Sequence, residues 1–268
     1  MDKLKHNCFY DTPPLWEGEK YGILQFVFPQ IDLNIFQAGS IPHNLRLGHQ
    51  MEHVFKQLIG SSTAYEIVVY NLPIKRDKRT IGEIDFILQD TITKQLLHVE
   101  LTYKFYLIDP KISELTHRLV GPNRRDSFYK KLQKIKSKQF PLVHTEEGGY
   151  ELCERDIDHL DIVHRCCFKA QIFAPYRNTT MDIGPLNNNC VEGYWLTLDD
   201  FGSDEFTMAQ YYLPNKSEWV VHPHNQVDWE NSSSAREKIE KNHQHNRAPM
   251  LWKKSSDGII EKLFVVGW

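Results

Sequence analysis

The apolar positions along the chain change period in an ordered way. From Leu47, the residues Leu47, Met51, Val54, Phe55 and Leu58 fall at i, i+4, i+7, i+8 and i+11, the stripe of an amphipathic helix, and Gly60-Ser61-Ser62 ends it. Three stretches with strand character follow at residues 65–70, 80–88 and 96–106. The short polar connection 89–95 predicts an antiparallel hairpin between the last two. A second helix is expected from Asp126, a candidate N-cap, with Phe128, Leu132 and Ile135 inward and Pro141 as its stop. Residues 161–173 read as a fourth strand. The order helix, strand, strand, strand, helix, strand predicts an α/β (α+β) fold around a mixed sheet.

The flanks are less regular. Residues 1–42 are aromatic and punctuated by Pro, and the apolar stretch 21–28 fits a strand and a buried helical turn equally. Beyond Pro175, strands are expected at 193–198, 219–221 and 263–266, and residues 235–241 read as a solvated helix. Three parts result: an N-terminal segment 1–42 packed on the core, a core 43–175, and a C-terminal extension 176–268 packed on that core.

Composition narrows the classes. With 268 residues and 41% hydrophobic content the chain can bury a substantial core, which excludes disorder. A net charge of −3 provides no global pull on polyanions, so any nucleic-acid surface must come from local clustering. The five cysteines are odd in number and lack a C-x-x-C pair, so reduced thiols are expected. No apolar run approaches the roughly 18 residues of a membrane span, and the first residues lack an apolar leader, so the expected location is cytoplasmic, without a membrane partner.

Strand alternation then sorts the chemistry onto faces. On residues 96–106, His98, Glu100, Thr102 and Lys104 share one face and Val99, Leu101, Tyr103 and Phe105 the other. Glu83 and Asp85 share a face of the preceding strand. Hairpin pairing brings Asp85 and Glu100 toward each other, and two carboxylates side by side are costly to bury without a compensating charge. A divalent cation supplies it: Mg²⁺ (or Mn²⁺) takes oxygen ligands, one or two protein carboxylates and phosphate oxygens of a substrate. Lys104 is placed to assist a metal-activated water. Glu52 borders the buried stripe of the first helix, four residues from Gly48, and can reach toward Asp85.

Charge clusters nearby. Between Tyr103 and Phe140 there are ten Lys and Arg against three acids. Lys130, Lys134 and Lys138 form an i, i+4, i+8 stripe that suits either phosphate contacts or a solvated face. Lys131, nearer the apolar side, and Arg124 and Arg125, in the loop before the helix, are further nucleic-acid candidates. His222-Pro223-His224 and His243-Gln244-His245 read as loop histidines. The chain has no G-x-S-x-G, P-loop or dinucleotide fingerprint.

The element order, with Asp85 in Gly82-Glu83-Ile84-Asp85-Phe86 and Glu100 in the third strand, resembles the PD-(D/E)XK nuclease-like core, whose members mostly cut DNA or RNA with Mg²⁺. The resemblance implies Asp85 and Glu100 as metal ligands, Glu52 as an auxiliary carboxylate and Lys104 as the catalytic lysine. The usual acid-x-Lys would put lysine at position 102, where Thr102 stands. A closer resemblance covers most of the chain. Arg46-Leu47-Gly48 with Glu52, the Glu100-Leu101-Thr102-Tyr103-Lys104-Phe105-Tyr106-Leu107 string, Gly121-Pro122-Asn123 with Asp126 and Lys131, Gln139, and Gly193-Tyr194-Trp195-Leu196 look like the domain-of-unknown-function family 1853. The expected function is a metal-dependent nuclease on DNA or RNA; the alternative is a catalytically inactive nuclease-fold module that binds nucleic acid or protein.

Overall fold

The computed structural model describes residues 1–178 and 181–268. In chain order the main elements are α1 (Asp2–Asp11), β1 (Glu19–Lys20), β2 (Ile23–Leu24), α2 (Leu47–Gly60), β3 (Tyr65–Arg76), β4 (Arg79–Asp90), β5 (Leu96–Ile108), α3 (Leu115–Arg118), β6 (Leu119–Val120), α4 (Phe128–Lys134), α5 (Glu146–Cys153) and β7 (Val163–Pro175). They continue as β8 (Val191–Thr197), α6 (Leu198–Phe201), α7 (Asp204–Thr207), β9 (Gln210–Tyr212), α8 (Ser232–Gln244), β10 (Met250–Lys254) and β11 (Ile260–Val266).

The chain forms two compact units interleaved in sequence. The first comprises Met1–Tyr103, Lys130–Lys169 and Pro185–Asn187; the second comprises Lys104–Tyr129, Ala170–Gly184 and Asn188–Trp268. Strands β5 and β7 and helix α4 pass from one unit into the other.

In the first unit the strand order is β3, β4, β5, β7. The predicted hairpin is present: Phe86 pairs with Val99 and Leu88 with Leu97, antiparallel. Its neighbour β3 runs to Arg76 and turns tightly into β4, with Arg76 opposite Arg79 and Asp77 at φ 53°, a left-handed conformation that Asp tolerates better than most residues. Helix α2 lies against this hairpin through its predicted stripe, and the Phe55 ring sits 4.6 Å from that of Phe86. Burial of each such side chain stabilises the unit by roughly 1.5–3 kcal/mol. A second apolar cluster joins Val69, Ile74, Ile84 and Ile87 to Leu142, Val143 and Leu152.

Helix α1 departs from expectation. Its inner residues Lys5, His6 and Phe9 are buried, with Lys5 Nζ donating to Gln50 at 2.6 Å and His6 Nε2 bonded to Gln57 at 3.0 Å. The stretch 21–28 resolves as the short strand β2 paired with β1.

The second predicted helix starts at Phe128, two residues after Asp126, whose carboxylate accepts the Ser127 N–H instead. It does not stop at the proline. Residues Ile135–Gln139 wind as a π-helix and Phe140–His144 as a 3₁₀ turn that carries Pro141 near its start, where a missing N–H is tolerated.

In the second unit β7 pairs with β8 and β8 with β11 in parallel, and β11, β10 and β9 follow antiparallel; β6 pairs with β5. A Cβ at Gly193 would meet the Lys262 carbonyl oxygen at 2.0 Å, so the β8–β11 approach requires glycine there. Residues 219–221, read as a strand, instead follow a 3₁₀ turn at Lys216–Glu218; Trp219, Val220 and Val221 are buried without joining the sheet. Helix α8 is not fully solvated: Ala235 and Ile239, at i and i+4, pack into a cluster with Phe201, Phe206 and Leu251. None of the five cysteines is in a disulfide. No helix among the described residues is long and apolar enough to cross a membrane.

Candidate active site

Asp85 and Glu100 come together in the first unit. The β4–β5 ladder is regular up to Phe86 opposite Val99; immediately beyond it, the Leu101 N–H donates to Asp85 Oδ2 at 2.9 Å. A side-chain carboxylate thus takes an amide of the neighbouring strand. The Asp85 and Glu100 carboxyl groups are within hydrogen-bonding reach of each other. Both are buried, Glu100 at 1% exposure. Burial, followed by the charge of Glu100, holds the Asp85 carboxyl well above the usual carboxylate range. Burial also raises Glu100, against the opposing pull of Lys131.

The cation on Glu100 comes from helix α4. Lys131 Nζ lies 3.3 Å from Glu100 Oε1 and 2.9 Å from Gln139 Oε1, and the Gln139 amide donates to the same Glu100 oxygen. Lys104, the lysine expected from the strand face, is paired within the second unit with Asp126 at 2.6 Å. Lys131 and Gln139 are eight residues apart, which in a regular α-helix leaves them about 80° out of line. The π-helical segment turns more slowly and brings both onto Glu100.

Glu52 borders the pair as expected from the α2 stripe. Its Oε2 is bonded to His49 Nδ1 at 3.0 Å and accepts from Asn71 Nδ2 at 3.2 Å, and its charge adds to the upward pull on Asp85, Glu83 and the Tyr70 phenol, which burial pushes up to about 12. Asn71 was not evident in the sequence. It lies on β3 between Tyr70, paired with Phe86, and Leu72, paired with Ile84, so it is level with Asp85, and it adopts φ 49°. A left-handed residue inside a strand is strained and is found where a side chain must be aimed. Its one signal was an amide in a strand otherwise rich in β-branched and aromatic residues.

Among the described residues, Glu100 Oε2, Asn71 Oδ1, Thr102 Oγ1 and the Tyr70 hydroxyl are buried here without a hydrogen-bond partner. Buried acceptors with no donor cost on the order of 1–3 kcal/mol each. Hard oxygen donors, two carboxylates and uncompensated lone pairs match the requirements of Mg²⁺ or Mn²⁺. Among the described residues no three or more His, Cys, Asp or Glu side chains converge to form a closed metal cage. A two-carboxylate site that leaves the remaining positions to water and substrate is the alternative geometry.

The other candidates separate. Lys130 and Lys134 are exposed on α4, and the stripe with Lys138 is broken by the π-helical winding. Arg124 is engaged in the second unit: its guanidinium pairs with Asp109 and lies 3.7 Å over the Trp268 ring. Arg125 is exposed and lines a cavity of that unit. His222 packs in a tilted arrangement against the Trp252 ring and His243 bonds the Val265 carbonyl, so neither histidine pair is built as a metal site.

A further polar chain was not foreseen. His98 Nδ1 lies 3.1 Å from His164 Nδ1, and His164 Nε2 lies 3.1 Å from His144 Nε2, with Phe140 stacked on His164. Burial pushes His98 down to about 3 and His164 down to about 4.

The fold and site thus define a mixed α/β protein with a buried pair of carboxylates, one of which is met by a lysine. The chain belongs to the family described as Domain of unknown function (DUF1853), whose model matches residues 31–266. No curated protein and no solved structure matches it.

Proposed function

We propose that the protein is a metal-dependent nuclease with a PD-(D/E)XK-like core, hydrolysing phosphodiester bonds of DNA or RNA. The observation that carries this reading is the buried Asp85–Glu100 pair, in which Lys131 and Gln139 both hold Glu100 Oε1 while Glu100 Oε2 has no hydrogen-bond partner among the described residues. Asp85 and Glu100 would hold Mg²⁺ or Mn²⁺, which supplies charge stabilisation and an acidified water when bound. Lys131 fixes the orientation of Glu100, opposes the upward shift that burial imposes on its carboxyl and presents an ammonium that can steady a phosphate oxygen. Gln139 holds Lys131 and Glu100 in register. Glu52, held by Asn71 and His49, adds negative potential that favours cation entry. Exposed Lys130 and Lys134 on the same helix are suited to backbone phosphates.

One observation favours the rival reading of a catalytically inactive module that binds nucleic acid or protein: Thr102 occupies the strand position of the usual lysine. Cleavage of a DNA and RNA panel at low salt, with Mg²⁺ or Mn²⁺, separates the two. Metal-dependent products from the wild type, absent from folded Asp85→Ala and Glu100→Ala variants, are expected. Nucleic-acid binding without any cleavage would select the module.

A further inference from the structure

The second unit contains a cavity of about 680 Å³ whose charge is the opposite of the chain's net −3. Cations from three separate segments converge on it: Arg125, Lys216, Lys238, Lys241 and Arg247, with His245 beside them. No carboxylate is among its lining residues. Lys238 is neutralised by Glu230 at 2.5 Å. Arg125, Lys241 and Arg247 are exposed and form no ion pair among the described residues. Like charges brought together without counter-charges repel, and the arrangement is favourable once an anion sits among them.

The C-terminal end of α8 accounts for part of this charge. A helix C-terminus carries the equivalent of about half a negative charge, enough to favour Lys241 but not the convergence of the others. The walls are also built rather than loose. Asn123 of the Gly121-Pro122-Asn123 string accepts the Ala248 N–H at 2.7 Å, tying the loop that carries Arg125 to the segment that carries Arg247. Trp219, Pro214 and Pro249 are buried and give the cavity an apolar floor.

We infer that this cavity binds the phosphate groups of a nucleotide or a nucleic-acid strand. Two guanidiniums present planar forks that match phosphate oxygens in pairs, and the lysines add point charges. Apolar ligands are disfavoured because the rim is cationic. The inference goes beyond the proposed nuclease reading and does not depend on it, since every residue involved lies in the second unit and none belongs to the Asp85–Glu100 site.

The test uses the full chain and three probes: inorganic tripolyphosphate, a 5′-phosphorylated single-stranded hexanucleotide, and an oligo-glutamate of matching charge. Calorimetry compares wild type with an Arg125→Gln, Lys241→Gln, Arg247→Gln variant. A control carrying Lys75→Gln, Lys78→Gln and Arg79→Gln removes the same charge from the exposed β3–β4 turn, and thermal melting verifies the fold of each. The expected result is binding of a phosphate probe that weakens steeply with salt and falls about tenfold or more in the cavity variant, while the control stays within about twofold of wild type. A hexanucleotide that binds more tightly than tripolyphosphate assigns the site to a strand, and the reverse assigns it to a free phosphorylated compound. No phosphate binding, equal loss in both variants, or equally tight oligo-glutamate binding would overturn the inference.

Discussion

Lys131 Nζ, on α4, lies 3.3 Å from Glu100 Oε1, on β5: the cation that meets the buried carboxylate comes from a helix rather than from the strand that bears the acid. With Lys104 committed to Asp126, the two lysines have separable roles. Lys131→Met should lower metal-dependent cleavage by about 10²-fold, the usual effect of losing one charge-stabilising donor. Lys104→Met should change it by less than about threefold. Single-turnover rates on one substrate check both, and the opposite ranking would restore the strand lysine as the catalytic one.

The buried pair also links metal to protons. Burial and the neighbouring charge raise both carboxyl groups, so the metal-free pair retains a proton more readily than an ordinary acid. The sign follows: protons compete with the cation, and Mn²⁺ affinity should increase with pH, by up to about tenfold per unit while one proton is released. Calorimetry in two buffers of different ionisation enthalpy should show buffer-dependent heats for wild type, and Asp85→Asn should remove the dependence. Identical heats in both buffers for wild type would exclude a shared proton.

The His98–His164–His144 chain makes the fold sensitive to acid. An unfolded histidine titrates near 6.5, whereas folded His98 and His164 stay neutral down to about 3 and about 4. Their contribution to stability is complete above about pH 6.5 and is lost as pH falls toward those values, at no more than about 1.4 kcal/mol per unit for each histidine. His164, partly open to water, contributes less. Thermal melting should show a plateau above neutrality and a decline below pH 6, shallower in His98→Leu. A parallel decline in both proteins would assign the acid sensitivity elsewhere.

What was legible in the sequence followed ordinary periods. The stripe of α2 and the alternation in β4 and β5 fixed the helix, the hairpin and the faces of Glu52, Asp85 and Glu100. Helix α1 was hidden because its inner face carries Lys5 and His6, whose burial depends on Gln50 and Gln57 far along the chain. The alignment of Lys131 with Gln139 was hidden by the π-helical winding, since a regular 3.6-residue period separates them. Trp219-Val220-Val221 shows the opposite error, an apolar run buried by a turn instead of a strand.

Asn71 offers a way to separate backbone from side chain at the site. Its φ of 49° is tolerated by Asn and costs nothing in Gly, but costs roughly 1 kcal/mol or more with an ordinary Cβ residue. Its amide holds Glu52 at 3.2 Å, and its carbonyl is one of the buried acceptors left without a donor. Asn71→Gly should therefore retain a melting temperature close to wild type yet weaken Mn²⁺ binding, whereas Asn71→Ala should lose both stability and affinity. Calorimetric titration with parallel melting curves distinguishes the cases. Undiminished Mn²⁺ affinity in Asn71→Gly would mean that the strained residue only shapes the strand, and the cation shell would then be confined to Asp85 and Glu100.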